Sequence, residues 1–153
     1  MDLFGEIGKS TYVSPASGAQ QSSTNFAFAF IHRQDFCADV ALLDAIWYGP
    51  IPGSAITIAQ SLSSAHLHTT QVFYDEVSTH ALTVSLDVSW TATAKTLRGS
   101  GNIHDGSVLI HFSGDDRPAV TGGVISDGTT NFSPNPSVNA DISSSTQGVV
   151  DFQ

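Results

Sequence analysis

The chain of 153 residues is long enough for one domain with a single hydrophobic core. Only 12% of its residues are charged, while Ser and Thr fill 35 positions, so we expect a surface of hydroxyl groups rather than ions. The net charge of −9 repels phosphate backbones, and no apolar run could cross a membrane, so we expect neither a nucleic-acid partner nor membrane insertion. The single cysteine allows no internal disulfide.

The N-terminal stretch, residues 1–24, is rich in Ser, Gly and Gln and has only scattered apolar residues. We predict an arm or irregular lead-in there, either loosely ordered or paired with a neighbouring subunit, ahead of a single domain at residues 25–153. The first residues have neither the basic region nor the apolar stretch of a secretory signal, so the sequence leaves the compartment open.

Two apolar segments come next. Phe26, Phe28 and Phe30 would share one face of a strand whose other face is also apolar, which predicts a central strand or one that covers a subunit contact. From Asp35 to Tyr48, apolar residues recur at helical spacing and Gly-Pro follows, although the same stretch also has the composition of a buried strand. We favour a helix here, and it would be the only one.

From residue 55 onward the sequence predicts one strand after another, separated by turn-forming residues. The clearest is His80–Ala94, where apolar side chains alternate with Thr, Ser and Asp and predict a strand with one buried face. The predicted strands are Ala55–Gln60, Ala65–Tyr74, His80–Ala94, Ser107–Phe112, Val120–Ser126 and Val138–Ser143.

Turn-forming residues between the predicted strands indicate the architecture. Asp105-Gly106 and Asp127-Gly128 are typical of tight hairpins, and Gly99-Ser100-Gly101 is expected to break the ladder before the first of them. Because short strands recur without long helices between them, we predict an all-β fold, an antiparallel β-sandwich that is immunoglobulin-like or jelly-roll-like, with at most one short helix.

His66 and His68 are the best candidates for chemistry. Two histidines one residue apart on a strand point to the same face, where their imidazoles could share a transition-metal ion such as zinc. A third ligand from a neighbouring strand would be needed, and we considered His80, His104 and His111 for this role. The alternative is that the pair is an ordinary polar part of an exposed strand face.

No other motif predicts a catalytic site. Cys37 has no flanking signature and is expected to be a small buried residue, and Asp115-Asp116 is expected in a solvated turn at a strand end. Trp47-Tyr48 and Phe73-Tyr74 are candidate platforms for a sugar, although Trp47 and Trp90 also fit a core. We therefore predict a non-catalytic module of assembly or binding, a homo-oligomer or one with a protein partner. A small metalloprotein and a carbohydrate- or ligand-binding module are the alternatives.

Overall fold

The computed structural model of the chain describes residues 2–13, 20–35, 37, 40–48, 51–75, 80–105, 108–136 and 140–152. Within these ranges the chain is nearly all β, with ten strands, one turn of 3₁₀ helix at Gly53–Ala55 and no α-helix, which confirms the predicted all-β class. The strands are β1 (Asp2–Val13), β2 (Gln20–Asp35), β3 (Val40–Tyr48), β4 (Ile56–Ile58), β5 (Ser64–Asp75), β6 (Ala81–Ala92), β7 (Leu97–Asp105), β8 (Val108–Ser126), β9 (Asn131–Phe132) and β10 (Ala140–Phe152).

The strands form one curled sheet in the order β10-β1-β2-β3-β5-β6-β8-β7, with β4 beside β5 and β9 beside β8. The pairing of β1 with β10 is parallel and the other pairings are antiparallel, so the sheet is mixed. The sheet is curled into a half-barrel, in which β10 bonds to β1 on one edge and to β8 on the other. The predicted sandwich, immunoglobulin-like or otherwise, is not confirmed.

The core lies on the concave face of this half-barrel. The alternation predicted for β6 is confirmed, because Val84, Leu86, Val88 and Trp90 are buried and the residues between them are exposed. Burial of such side chains is the main favourable term in folding. Residues of the other strands complete the cluster, among them Ile7, Ile31, Ala45, Trp47, Leu67, Phe73, Ala119, Ile125 and Ile142.

The first strand lies inside the sheet. Residues 8–13 of β1 bond to β2 on one side and to β10 on the other, and the side chain of Ile7 is fully buried. The division of the chain into residues 1–24 and 25–153 stays a prediction. Any truncation at residue 24 would nevertheless remove a strand that supports the core.

The second strand is flanked on both edges, by β1 and by β3, as expected for a central strand. Ile31 is buried in it, whereas the side chains of Phe26, Phe28 and Phe30 lie outside the described part of the structure.

The helix favoured between Asp35 and Tyr48 is wrong, because Val40–Tyr48 forms β3. This segment pairs with β2 over eight positions. Ala45 and Trp47 belong to the core cluster, and Ile46 between them is also buried. A neighbouring strand that offers its backbone groups outweighs the weak helical preference of the segment, since tertiary context overrides propensity.

One of the two turn predictions is confirmed. Asp105 pairs with Val108, so β7 and β8 are antiparallel neighbours, but Gly106 of the first predicted turn lies outside the described residues. In the hairpin of β8 and β9, Gly128 has a φ of 87°, and the carboxylate of Asp127 accepts backbone N–H bonds from Thr129 and Thr130. The bond from Thr130 has the largest effect on the pKa of Asp127, and both bonds lower it.

Two strands predicted at Ser107–Phe112 and Val120–Ser126 are parts of one long strand, β8. Along one edge its partner changes from β7 to β6, between Asp116 and Ala119. Pro118 lies where the partner strand changes. A proline has no backbone N–H, and it is tolerated where a ladder of hydrogen bonds is interrupted. Gly99-Ser100-Gly101 does not break the ladder as predicted, because it lies within β7.

Beyond this point the sheet extends as a polar wing. We define the wing as residues 8–13, 20–25, 97–105, 108–116 and 143–148, which lie side by side in the order β2-β1-β10-β8-β7. Arg117 follows the wing residues of β8 and connects this strand to two other segments of the chain. Its guanidinium donates to the carbonyl oxygens of Ala94 at 2.8 Å and Ser61 at 3.1 Å.

Candidate functional site

The predicted histidine pair lies on the outer face of β5. The side chains of His66 and His68 are 47% and 76% exposed, and their rings stack with centroids 6.4 Å apart. The shared face follows from strand geometry, because Ala65 and Leu67 turn into the core and leave the intervening positions outside.

Asp87 on β6 joins the pair. It lies directly opposite His68 in the register of the two strands, and diagonally opposite His66. His66 Nε2–H donates to Asp87 Oδ1 at 2.7 Å, and His68 Nδ1 is 3.8 Å from Oδ2. The hydrogen bond from His66, aided by the charges of both imidazoles, lowers the pKa of Asp87.

The histidines considered as a third ligand lie elsewhere. His80 is at the far end of the β5–β6 hairpin, where its carbonyl accepts a bond from Asp75, and His111 Nδ1 is 2.7 Å from Asn102 Oδ1 in the wing. Within the described ranges, no group of three or more His, Cys, Asp or Glu side chains is spaced to hold a metal ion. The pair and Asp87 are therefore a hydrogen-bonded cluster whose metal binding stays a prediction.

The candidate sugar platforms are mostly part of the core. Trp47 and Phe73 are buried and contact each other, with ring centroids 6.4 Å apart, and Trp90 is buried as the sequence suggested. Tyr74 is exposed on the outer face of β5, whereas the side chain of Tyr48 lies outside the described part. Among the rings whose side chains the structure describes, Tyr74 is the one that a ligand could reach.

Two further expectations are wrong. Asp115 and Asp116 lie inside β8 rather than in a turn, because the two strands predicted around them are continuous. Arg98 donates to both carboxylate oxygens of Asp115, at 2.7 and 3.0 Å, which lowers the pKa of Asp115 and raises that of Arg98. Cys37 is exposed in a turn rather than buried.

The concave face of the wing forms an open trough of about 340 Å³. Side chains alternate along a strand, so Ser144 and Thr146 face the same way as buried Ile142, and the trough continues the core face as a polar surface. Its side chains come from three strands: Arg98, Ser100, Ser113, Asp115, Ser144 and Thr146.

No known protein family, curated protein or solved structure shows significant similarity to this chain. No helix in the described part of the chain is long and apolar enough to span a membrane.

The outer edge of β7 is the feature that sequence reasoning missed. The inner edge of β7 bonds to β8 from Leu97 to Asp105, and the outer edge has no partner strand among the described residues. Leu97 and Ile103 are 62% and 53% exposed on the convex face of this strand. The signal was present in the strong hairpin turn at Asp105-Gly106, which required a strand before it as well as after it.

Proposed function

We propose that this chain is a non-catalytic β module that assembles with copies of itself through the outer edge of β7. The observation that carries the proposal is the open edge of this nine-residue strand, together with two exposed apolar side chains, Leu97 and Ile103. An unpaired strand edge offers a row of N–H and C=O groups to another strand. Leu97–Asp105 contains neither Lys nor Pro, and the charge of Arg98 in this strand is paired with Asp115.

The exposure of the wing supports the same proposal. In a strand with one buried face, exposed and buried residues alternate, as they do in β6. In the wing, consecutive residues are exposed at 97–100 in β7 and at 145–147 in β10, so water reaches both faces of the sheet there. A thin sheet that is wet on both faces has little core of its own, and contact with another protein would stabilise it.

Charge favours the wing over the rest of the surface as the place where two copies meet. Each chain carries a net charge of −9, so two copies repel each other in general. The wing holds two basic and three acidic residues, so its own net charge is −1, and Arg98 pairs with Asp115 there. Two copies can therefore approach along this polar but weakly charged surface.

Charging the β7 edge should prevent assembly. We expect the double variant Leu97→Lys, Ile103→Lys to stay monomeric at concentrations where the unchanged chain associates, because lysines on an edge strand oppose strand addition. Light scattering coupled to size exclusion, over a range of concentrations, measures the mass of each. The matched control is Val124→Lys, which charges an exposed valine on β8 away from this edge.

Association that persists unchanged in the double variant would overturn the proposal, as would a monomeric unchanged chain at every concentration. Loss of association in both the double variant and Val124→Lys would also count against the proposal. An added positive charge anywhere on the surface would then be sufficient to prevent association. Circular dichroism of all three proteins checks that the sheet is intact.

A second candidate function is the binding of a transition-metal ion by His66 and His68. The observation that favours it is Asp87, whose carboxylate lies 2.7 Å from His66 and 3.8 Å from His68. Two imidazoles and one carboxylate form a set of ligands that suits zinc and related ions. The three groups are not spaced to hold an ion as they stand. A metal ion would therefore have to replace the proton of the His66–Asp87 hydrogen bond, and the side chains would have to rotate toward it.

Removing one imidazole tests this function. We expect Zn²⁺ to bind the untagged chain with one-to-one stoichiometry in isothermal titration calorimetry, and His66→Ala to weaken binding about tenfold or more. His104→Ala, which replaces an exposed histidine on β7, is the control that removes an imidazole elsewhere. Equal affinity of His66→Ala and His104→Ala would exclude this site.

A further inference from the structure

We propose that β7 pairs with β7 of a second copy, antiparallel and two-fold symmetric, with Ser100 opposite Ser100 at the axis. This inference depends on the proposed assembly function and specifies its partner surface, register and symmetry. A two-fold interface uses the same patch on both copies and closes at two, so the patch must be complementary to itself.

The register follows from the positions of the apolar residues in β7. Side chains alternate, so Leu97, Gly99, Gly101 and Ile103 lie on the convex face, and the even-numbered residues face the trough. With Ser100 at the axis, Leu97 of each copy lies opposite Ile103 of the other. Each exposed apolar side chain thus meets an apolar side chain, twice in the dimer.

Neighbouring registers lose this match. An axis at Gly101 would set Leu97 opposite the acidic residue at position 105 and Arg98 opposite His104. An axis at Gly99 would set Ile103 opposite position 95, which precedes β7 and is not part of a strand. An axis between two residues would join the convex face of one copy to the concave face of the other. The axis at Ser100 instead pairs residues 97–103 of one copy with the same residues of the other, all of them within β7.

The glycines of β7 fit the same arrangement. In the proposed register, Gly99 of one copy lies opposite Gly101 of the other. The ring of Phe112 lies over Gly101, where a Cβ atom would come within 2.6 Å of the ring, and the space above Gly99 is open. Phe112 is itself exposed on the convex face and can extend over Gly99 of the second copy.

The main alternative partner is the other end of the wing. Residues 20–25 of β2 bond to β1 on one edge and have no partner on the other among the described residues. Pairing of β7 with this edge would be head-to-tail and would build an open chain of copies rather than a dimer. The two arrangements therefore differ in mass as well as in register.

A cysteine at the axis tests the register directly. In a Cys37→Ser background, we expect Ser100→Cys to form a disulfide-linked dimer on mild oxidation, at least several-fold faster than Asn102→Cys. Both positions are exposed on the same face of β7, but two thiols introduced at position 102 would be about 14 Å apart at roughly 3.4 Å per residue. Light scattering should show a mass that stops rising at twice the chain mass of 16.1 kDa.

Equal or faster crosslinking of Asn102→Cys would overturn the register. A mass that grows beyond two copies would overturn the closed dimer and favour the β7–β2 chain. In both cases the proposed function stands if Leu97→Lys, Ile103→Lys still abolishes association. If that double variant associates normally, the proposed function fails, and this inference fails with it.

Discussion

Replacing Trp90 by alanine is expected to destabilise the fold by about 3–5 kcal/mol, a large part of the stability of a domain of this size. Trp90 is 1% exposed and is the largest fully buried side chain among the described residues. It lies on β6 between β5 and β8, so its removal leaves a cavity where three strands pack. Urea unfolding followed by circular dichroism measures the loss, since this signal does not depend on the tryptophan that is removed.

The matched control is Thr91→Ala, one residue along the same strand and exposed on the outer face. We expect a change within about 0.5 kcal/mol for this variant, since its side chain contributes no buried area. If Trp90→Ala cost no more than Thr91→Ala, the assignment of the concave face of β6 to the core would be wrong.

Much of the fold could be predicted from sequence where strands have one buried face. In β6 the alternation of Val84, Leu86, Val88 and Trp90 with polar residues leaves one arrangement, because a shift by one residue would expose them all. The same reasoning located β5 within one residue at each end.

The wing could not be predicted because it lacks this pattern. Residues 8–13 of β1 and 97–102 of β7 are mostly Ser, Thr, Gly and other polar types, which indicate a loop when they are considered alone. They form strands because β8 and β10 present their backbone groups beside them. The error at β3 has the same origin, since β2 determined its conformation.

The candidate site was predicted in part for a related reason. The spacing of two residues along one strand was sufficient to place His66 and His68 on the same face. Asp87 required the register between β5 and β6, which a single sequence does not supply until the connecting turn is known. The β7 edge required the order of all the strands, because an edge is defined by the strand that is missing beside it.

Replacing Gly123 by alanine is expected to cost about 3 kcal/mol or more, for two additive reasons. Gly123 has a φ of 113°, a conformation that side chains rarely adopt and that costs roughly 1–3 kcal/mol. A Cβ atom there would also collide with the carbonyl oxygen of Asp87 on the neighbouring strand, and backbone cannot move aside as a flexible side chain can. The free energy of unfolding in urea gives the cost.

Gly122→Ala is the control, because it makes the same chemical change one residue earlier, at an ordinary φ and with no atom within 4 Å of the added Cβ. We expect it to change stability by less than about 1 kcal/mol. Similar costs for the two variants would mean that β8 does not approach β6 closely at Gly123. The added Cβ of Gly123→Ala should also displace Asp87, and this should weaken any Zn²⁺ binding at His66 and His68. Gly122→Ala should leave Zn²⁺ binding unchanged.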